Sequence, residues 1–213
     1  MIYSEHNEQL IIEEFFQGRI GKFLDIGAFD GVNFSNTLHL LELGWQGILV
    51  EPAPVTFINL QNNLKYKEIP SNLYQLINAA IVPDYFKKST VFFEALHGKD
   101  HGSAVSSFYK NHVEHFLETS NISEINPTSV IVEHASDFFN QIGYDFNFIT
   151  IDIEGLSYEL LVSVNWKKFK SLELICIEAE STPERYIDVM SHHNFILHTV
   201  EAGNHFFKKH EQN

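Results

Sequence analysis

Acidic residues at the ends of short apolar runs are the side chains of this sequence best placed to do chemistry. Asp25 lies near the end of one such run, Glu51 ends a second, and Asp152 and Glu154 end a third. Apolar runs of this length are typical of buried strands, and open α/β sheets bind ligands outside the carboxyl ends of their strands. We therefore expect these four carboxylates to lie at one edge of a sheet.

The stretch Phe23-Leu-Asp-Ile-Gly-Ala-Phe-Asp-Gly31 predicts a strand that runs into a tight turn and then a helix. Gly27 and Gly31 allow positive φ or close approach of a ligand, and Val32 to Leu43 has helical periodicity. The glycine spacing differs from the G-x-G-x-x-G of dinucleotide sites, and the acidic Asp25 precedes the first glycine. This arrangement suits a ligand with a cationic ammonium end and a neutral ribose, as in S-adenosylmethionine.

Glu51 supports the same interpretation. It follows Gly27 by 24 positions, close to the roughly 20-residue offset at which a carboxylate binds ribose hydroxyls in wound nucleotide folds. A carboxylate at the end of a buried strand is costly unless a partner contacts it. We predict that Glu51 holds the ribose and that Asp25 holds the ammonium group or a water beside it.

Four segments together resemble the FkbM family of S-adenosylmethionine-dependent methyltransferases. The resemblance covers roughly positions 23 to 180, and its most family-specific part is an Asp-Ile-Glu-Gly sequence after a hydrophobic strand. Thr150 stands where the family usually has a lysine, so the role of that lysine is not carried over. The segments are Phe23–Gly31, Val50-Glu-Pro-Ala-Pro54 with the following Phe57, Leu60 and Asn63, Ile149-Thr-Ile-Asp-Ile-Glu-Gly155, and Ile177-Glu-Ala179.

The repeated strand–helix pattern and the resemblance imply one α/β domain over residues 1–213, with the Rossmann-like fold of class I methyltransferases. We expect a mostly parallel seven-stranded sheet, an antiparallel C-terminal hairpin and helices on both faces. The hairpin would turn at Gly203-Asn204, with the last strand beside the fifth. Leu73–Val82 predicts the third strand, residues 1–20 an N-terminal helix, and residues 96–128 a lid or substrate insertion.

The activity implied by the resemblance is methyl transfer from S-adenosylmethionine, with a hydroxyl of a small molecule or sugar as acceptor. Asp152 and Glu154 are the predicted catalytic residues, with Asp152 as the base or as the group that orients the acceptor. Alternatively, Glu154 only favours the N-terminus of the next helix. The predicted cofactor-binding residues are Asp25, Gly27, Ala28, Gly31, Glu51, Pro52, Asn78, Ala79 and Ser106.

Two further features near these residues stay open. Ser106 belongs, with Ser103 and Ser107, to a stretch similar to the serine-containing segment of the family that faces the cofactor. Glu178 ends another apolar run and is either directed toward the substrate or a solvated strand end.

Two alternative functions stay open beside methyl transfer. A binding or scaffold protein could keep the wound sheet without turnover. A dinucleotide oxidoreductase is the other alternative, and the glycine spacing disfavours it.

The histidines of the 96–128 segment are a possible source of metal ligands. His97 and His101 are spaced i, i+4, and His112 and His115 are spaced i, i+3, which on a helix brings each pair to one face. The chain has 12 histidines, so chance pairs are expected. One of these residues or His134 could instead serve as a general base.

Mg²⁺ is a separate possibility at the end of the third acidic run. Asp152 and Glu154 offer the hard oxygen ligands that Mg²⁺ prefers, but Mg²⁺ takes six oxygens and only two such ligands are visible in the sequence. We therefore predict metal-independent binding of S-adenosylmethionine, with metal-assisted catalysis as the alternative.

Composition narrows the class of protein further. The length of 213 residues with 44% hydrophobic residues fits one full-sized domain. A formal net charge of −14 argues against a nucleic-acid partner, since that binding needs clustered Lys and Arg. The single cysteine, Cys176, reads as a buried small hydrophobe. No signal peptide or membrane-length apolar run is visible, so we expect a cytoplasmic protein, with the oligomeric state left open.

Overall fold

The structure is a computed structural model, and it describes residues 1–87, 91–98, 100–117, 119, 121–179 and 182–210. The helices are α1 Glu8–Phe16, α2 Leu38–Glu42, α3 Pro54–Tyr66, α4 Lys110–His115, α5 Ala135–Ile142, α6 Ser157–Ser163 and α7 Pro183–Ser191, with a 3₁₀ turn at Trp166–Lys168. The strands are β1 Lys22–Ile26, β2 Gln46–Val50, β3 Tyr74–Ile77, β4 Ala80–Val82, β5 Val91–Leu96, β6 Glu124–Ser129, β7 Val132–His134, β8 Phe148–Ile151, β9 Leu174–Glu178, β10 Phe195–Glu201 and β11 Asn204–Lys209.

Seven strands form the central sheet in the order β10-β11-β9-β8-β1-β2-β3. The pairs among β3, β2, β1, β8 and β9 are parallel, while β11 runs antiparallel to both β9 and β10. The last strand, β11, therefore lies beside β9, which is the fifth strand of this sheet in chain order. This confirms the predicted α/β architecture with its antiparallel closing hairpin.

Both faces of the sheet are covered by helices, because neighbouring residues of each central strand point to opposite sides. Phe23 and Phe148 pack with residues of α1, α2 and α3 on one face. Leu24 and Ile149, their neighbours in sequence, pack with residues of α5, α6 and α7 on the other. Cys176 is buried in the first of these cores, as predicted.

Two small sheets lie outside the central one. The predicted strand Leu73–Val82 is interrupted, so that β3 stays in the central sheet while β4 pairs with β7. The backbone N–H of Ala80 donates to the carbonyl of Ile131, which draws the chain away after Asn78-Ala79. The second small sheet pairs β5 with β6 on either side of residues 97–123.

The predicted helix over Val32–Leu43 forms only at its end, as α2. Side chains compete for the backbone earlier in the segment: Asp30 Oδ1 accepts from the N–H groups of Val32 and Asn33, and Ser35 Oγ accepts from those of Thr37 and Leu38. Residues 27–37 are therefore an irregular loop above the strand ends.

The C-terminal turn also differs from the prediction by one position. Glu201 pairs with Asn204, so the two turn residues are Ala202 and Gly203. Their φ values of 44° and 94° match a two-residue hairpin turn that needs positive φ at both positions.

We find no membrane-spanning helix in the described part of the chain. Its helices are all too short or too polar to pass through a bilayer.

Candidate active site

A cavity of about 920 Å³, including its open mouth, lies at the carboxyl ends of β1, β2 and β8. The first strand has neighbours on both sides here, and this reversal of strand order is where open α/β sheets bind ligands. Nine of the predicted site residues line the cavity: Asp25, Gly27, Ala28, Glu51, Pro52, Ala79, Ser106, Asp152 and Glu154.

The remaining two predicted residues, Asn78 and Gly31, lie behind the cavity wall. Asn78 Nδ2 donates to the carbonyl oxygens of Glu51 and Pro52 at 2.8 and 3.0 Å, so its amide fixes the chain leaving β2. Gly31 has φ +73°, and a Cβ there would lie 2.3 Å from Cδ1 of Leu60 on α3. Both residues therefore support the wall without facing the ligand space.

Gly27 brings the end of β1 against the end of β8. Its φ is +94°, and a Cβ at this position would lie 1.7 Å from the carbonyl oxygen of Asp152. The N–H groups of Gly27 and Ala28 both donate to the carbonyl of Val50 at 2.9 Å. Any larger side chain would push apart the strand ends that form the floor of the cavity.

Glu51 is a buried carboxylate at one end of the cavity. Its Oε2 accepts from the N–H of Phe29 at 3.1 Å and its Oε1 from the N–H of Ala53 at 2.8 Å. Burial raises the pKa of Glu51 to about 8, although the two backbone hydrogen bonds oppose the shift. A ligand that donates further hydrogen bonds would stabilise the ionised form.

Asp25 lies beside Glu51 on the neighbouring strand and is also buried. The hydroxyl of Thr37 donates to its Oδ2 at 2.6 Å. Burial raises the pKa of Asp25 to about 6, and the Thr37 hydrogen bond lowers it. Asp25 is therefore a carboxylate that a cationic group in the cavity would hold ionised.

Apolar residues form the wall on the far side of Glu51. Ala79, Ala80 and Ile81 line it, together with Phe92 and Phe108. Phe108 packs edge to face on Phe92, with ring centroids 5.1 Å apart. This part of the cavity suits a flat apolar ring.

Asp152 and Glu154 meet Glu178 at the opposite end of the cavity. The first two are two positions apart, so strand alternation favours the same side for both, and both line the cavity just after the end of β8. Ligand atoms of these three carboxyl groups all lie within 4.8 Å of one another. Glu178 ends an apolar strand as Glu51 does, and this signal was available in the sequence.

Asp152 is exposed to the open cavity, but protein atoms surround it on its other sides. Its pKa is raised well above the usual range, chiefly by this desolvation and then by the negative charge of Glu154. A side-chain hydrogen bond with Glu178 opposes the shift. Asp152 therefore stays protonated to higher pH than an ordinary aspartate.

Part of the 96–128 segment covers this end of the cavity. The hydroxyl of Ser107 donates to the carbonyl of Glu154 at 2.7 Å. Gly155 lies so close to Tyr109 that a Cβ would be 2.9 Å from Cδ2 of its ring. Ser106 lines the cavity, but its hydroxyl donates to the carbonyl of Ser103 and accepts from the N–H of Ala95, so it holds the segment together.

Two aromatic residues that no sequence pattern indicated stand at the cavity wall. Phe29 and Phe34 have φ values of 49° and 59° and stack with ring centroids 6.4 Å apart. Both line the cavity, and Phe34 is 54% exposed. Positive φ at residues other than glycine is uncommon, and strained positions of this kind cluster at functional sites.

The histidine pairs do not come together as a metal site. Across the described residues, a close group of three or more ligand-type side chains occurs only at Asp152, Glu154 and Glu178. His112 contacts Glu154 with its Nε2 at 2.7 Å from Oε2, whereas His97 Nδ1 lies near the carbonyl of Asn121 and His134 Nε2 near that of Phe86. We assign no metal to the three carboxyl groups.

The comparisons with known proteins agree with this geometry. The sequence matches the family described as methyltransferase FkbM domain over residues 25–205. A precorrin-6y C5,15-methyltransferase from Geobacter metallireducens GS-15 aligns with a TM-score of 0.53 at 10% identity, covering 93% of this chain and 84% of that chain. A putative methyltransferase, yhhF, from Escherichia coli aligns with a TM-score of 0.50 at 15% identity, covering 97% of this chain and 86% of that chain.

At these identities the two solved structures show the fold alone. It is the Rossmann-like methyltransferase fold that the sequence predicts. No curated protein matches the chain. The family match spans most of the sequence and includes the residues that line the cavity. This protein therefore belongs to the FkbM methyltransferase family.

Proposed function

We propose that this protein transfers the methyl group of S-adenosylmethionine to a hydroxyl oxygen of a small molecule or sugar. Family membership supports S-adenosylmethionine-dependent methyl transfer. The observation that carries the finer proposal is the arrangement of acids along the cavity: Glu51 lies on the β2 side, Asp152 and Glu154 on the β8 side, and Asp25 on β1 between them. Such a cavity can hold a nucleoside-like ligand and an acceptor side by side.

The residues of the first end fit S-adenosylmethionine. Glu51 would accept hydrogen bonds from ribose hydroxyls, and the apolar wall at Ala79 and Phe92 would contact the adenine ring. Asp25 would hold the cationic ammonium group, which would offset the cost of its burial. When bound, the cofactor supplies an electrophilic methyl group on a sulfonium.

The residues of the second end would then prepare the acceptor. Asp152 and Glu154 can accept hydrogen bonds from its hydroxyl groups, and one of them can take the proton that the reacting hydroxyl loses. Residues 106–109 cover this end, so they can align the acceptor and limit water. Asp152 is the first candidate for orienting the acceptor or accepting the proton.

A small hydroxylated acceptor is the class that best agrees with the charges. The chain has a net charge of −14, and acidic groups dominate the acceptor end of the cavity. A phosphate-rich polymer would be repelled by both. A neutral polyol would instead find several hydrogen-bond acceptors.

Calorimetry with S-adenosylhomocysteine tests the cofactor half of the proposal. We expect binding by the unaltered protein, at least tenfold weaker binding by Asp25→Ala and Glu51→Ala through loss of ligand contacts worth roughly 1.4 kcal/mol or more, and unchanged binding by the exposed control Asp188→Ala. No binding by the unaltered protein at tens of micromolar would overturn the proposal.

Turnover and metal dependence are tested with the same protein. Transfer of a labelled methyl group to a member of a panel of hydroxylated metabolites is expected, whereas cofactor binding without any transfer would favour the scaffold alternative, and NADH binding the oxidoreductase. We also expect S-adenosylhomocysteine to bind equally in EDTA and in Mg²⁺. Turnover that stops in EDTA and returns with Mg²⁺ would show that the acceptor end uses a metal.

A further inference from the structure

His112 contacts the acceptor end of the cavity from the covering segment. Its Nε2 lies 2.7 Å from Oε2 of Glu154, and the two side chains are 24% and 16% exposed. The residues are 42 positions apart in sequence, so this contact joins α4 to the end of β8. The contact is therefore a tertiary feature of the folded site.

The three carboxyl groups at this end do not have equal surroundings. Asp152 and Glu178 have carboxyl oxygens within 4.8 Å of each other, and two acids this close disfavour the state in which both are ionised. Glu154 has the imidazole of His112 on its carboxylate and the hydroxyl of Ser107 on its carbonyl. Glu154 thus differs from the other two acids in having an imidazole at hydrogen-bond distance from its carboxylate.

The charges around the three carboxyl groups also distinguish Glu154 from the other two. Asp152 and Glu178 face Glu154 from the ends of β8 and β9 with ligand atoms within 4.8 Å, and His112 faces it from α4. Carboxylates this close disfavour one another's ionised form, while a cationic neighbour favours it. A protonated His112 therefore acts on Glu154 in the direction opposite to the other two acids.

Methyl transfer to a hydroxyl needs an ionised base at this place. The hydroxyl oxygen forms a bond to the methyl carbon as the carbon–sulfur bond breaks, the sulfur keeps that electron pair, and the hydroxyl proton must pass to a protein group. A carboxyl group that already holds a proton cannot accept it. Of Asp152 and Glu154, which both line the cavity here, Glu154 is the better acceptor, because His112 lies 2.7 Å from its carboxylate while burial and a neighbouring acid disfavour the ionised form of Asp152.

We propose that His112 is a positioning residue that holds the Glu154 carboxylate in place and ionised, so that Glu154 accepts the proton of the acceptor hydroxyl while Asp152 orients the acceptor. This inference rests on the proposed methyl transfer. It assigns different roles to two acids that sequence alone could not distinguish.

Carbon-13 spectroscopy of carboxyl-labelled glutamates tests the inference without an acceptor, with the Glu154 signal assigned by Glu154→Gln. Between about pH 5 and 8 we expect Glu154 to be ionised in the unaltered protein, and its titration midpoint to rise by about one pH unit or more in His112→Gln. His112→Lys, which keeps the positive charge, should restore the midpoint. His115→Gln alters an exposed histidine of the same helix and should leave it unchanged.

Calorimetry separates a failure of this inference from a failure of the proposed function. We expect His112→Gln to bind S-adenosylhomocysteine within about twofold of the unaltered protein, because His112 is not among the residues that line the cavity. Normal binding with an unmoved Glu154 midpoint would overturn only the role of His112. No binding by the unaltered protein would overturn the proposed function and this role together.

Discussion

At the residue scale, the same functional group has different chemistry at each end of the cavity. Glu51 accepts hydrogen bonds from two backbone N–H groups, whereas Asp152 has other carboxyl groups as neighbours. Both have a raised pKa because of desolvation, but only Asp152 has a close acid as the second cause. The two acids should therefore respond differently when a neighbouring charge is removed.

Replacement of Glu154 by Gln should lower the pKa of Asp152, because the negative charge that disfavours its ionisation is gone. The pKa should remain above that of an exposed aspartate, since desolvation is the larger cause. Carbon-13 spectroscopy of labelled aspartates, assigned with Asp152→Asn, measures it. Glu159→Gln on α6 is the control, and an unmoved Asp152 midpoint would contradict the contact at the acceptor end.

The sequence revealed the residues whose positions depend on local structure. Asp25 and Glu51 were predictable because a strand followed by a turn fixes where its last residues point. His112 was predictable only as one of several histidines, since its partner is distant in sequence and the approach of α4 is set by tertiary packing. Phe29 and Phe34 were not predicted as site residues, because the loop around them imposes their positive φ and leaves no signal in the sequence.

At the element scale, the cavity depends on strand ends and helix starts held by parts of the chain far away. Helix α3 begins three positions after Glu51, and its N-cap residue, Ala53, has no side chain that could accept a hydrogen bond. Glu94 of β5 supplies the cap, with its Oε1 accepting from the N–H groups of Val55 and Thr56 at 2.9 and 3.1 Å. The start of α3 was predictable from Pro54, but a cap from 38 or 39 positions away was not.

The contact between the ends of β1 and β8 gives a prediction with a matched control. Gly27 and Gly44 have φ values of +94° and +91°, but a Cβ at Gly44 would meet nothing within 4 Å. Gly44→Ala should cost only the backbone strain, about 1–2 kcal/mol. Gly27→Ala adds a clash with the backbone of Asp152, so it should cost more and abolish binding of S-adenosylhomocysteine.

Urea unfolding and calorimetry of both glycine variants measure these effects. Equal losses of stability in the two variants, with binding retained by Gly27→Ala, would contradict the idea that this glycine keeps the strand ends together.

At the scale of the whole molecule, the sheet order was predictable because few topologies remain once strands and helices alternate. The separation of β3 from β4 was not predictable, because Leu73–Val82 is almost continuously apolar. The break is visible only in the structure, where the N–H of Ala80 donates to Ile131 and β4 pairs with β7. The sequence predicted residues 96–128 as a lid or substrate insertion. It could not predict that Ser107, Tyr109 and His112 contact the chain after β8, because these contacts join residues far apart in sequence.

The buried ionisable groups of the ligand-free protein also act together on its stability. Burial raises the pKa of Glu51 to about 8 and of Asp25 to about 6, and lowers that of His39 to about 4. A raised carboxyl pKa gives stability that is complete below the unfolded pKa and is lost as pH rises through the folded value. A lowered histidine pKa has the opposite slope, but only below the ordinary histidine pKa of about 6.5.

Between about pH 6.5 and 8 the histidines no longer oppose the carboxyl groups, so the free energy of unfolding should fall as Glu51 loses its proton. The part due to Glu51 should be at most ~2 kcal/mol, seen as a few degrees in the melting temperature, and Asp152 adds to the decrease at the lower end of this range. Glu51→Gln has no such proton to lose, so its melting temperature should change less over this range, while the exposed control Glu14→Gln should follow the unaltered protein. Parallel curves for Glu51→Gln and the unaltered protein would mean that Glu51 is ionised throughout in the absence of ligand, and that the carboxylate needs no bound ribose to be stable.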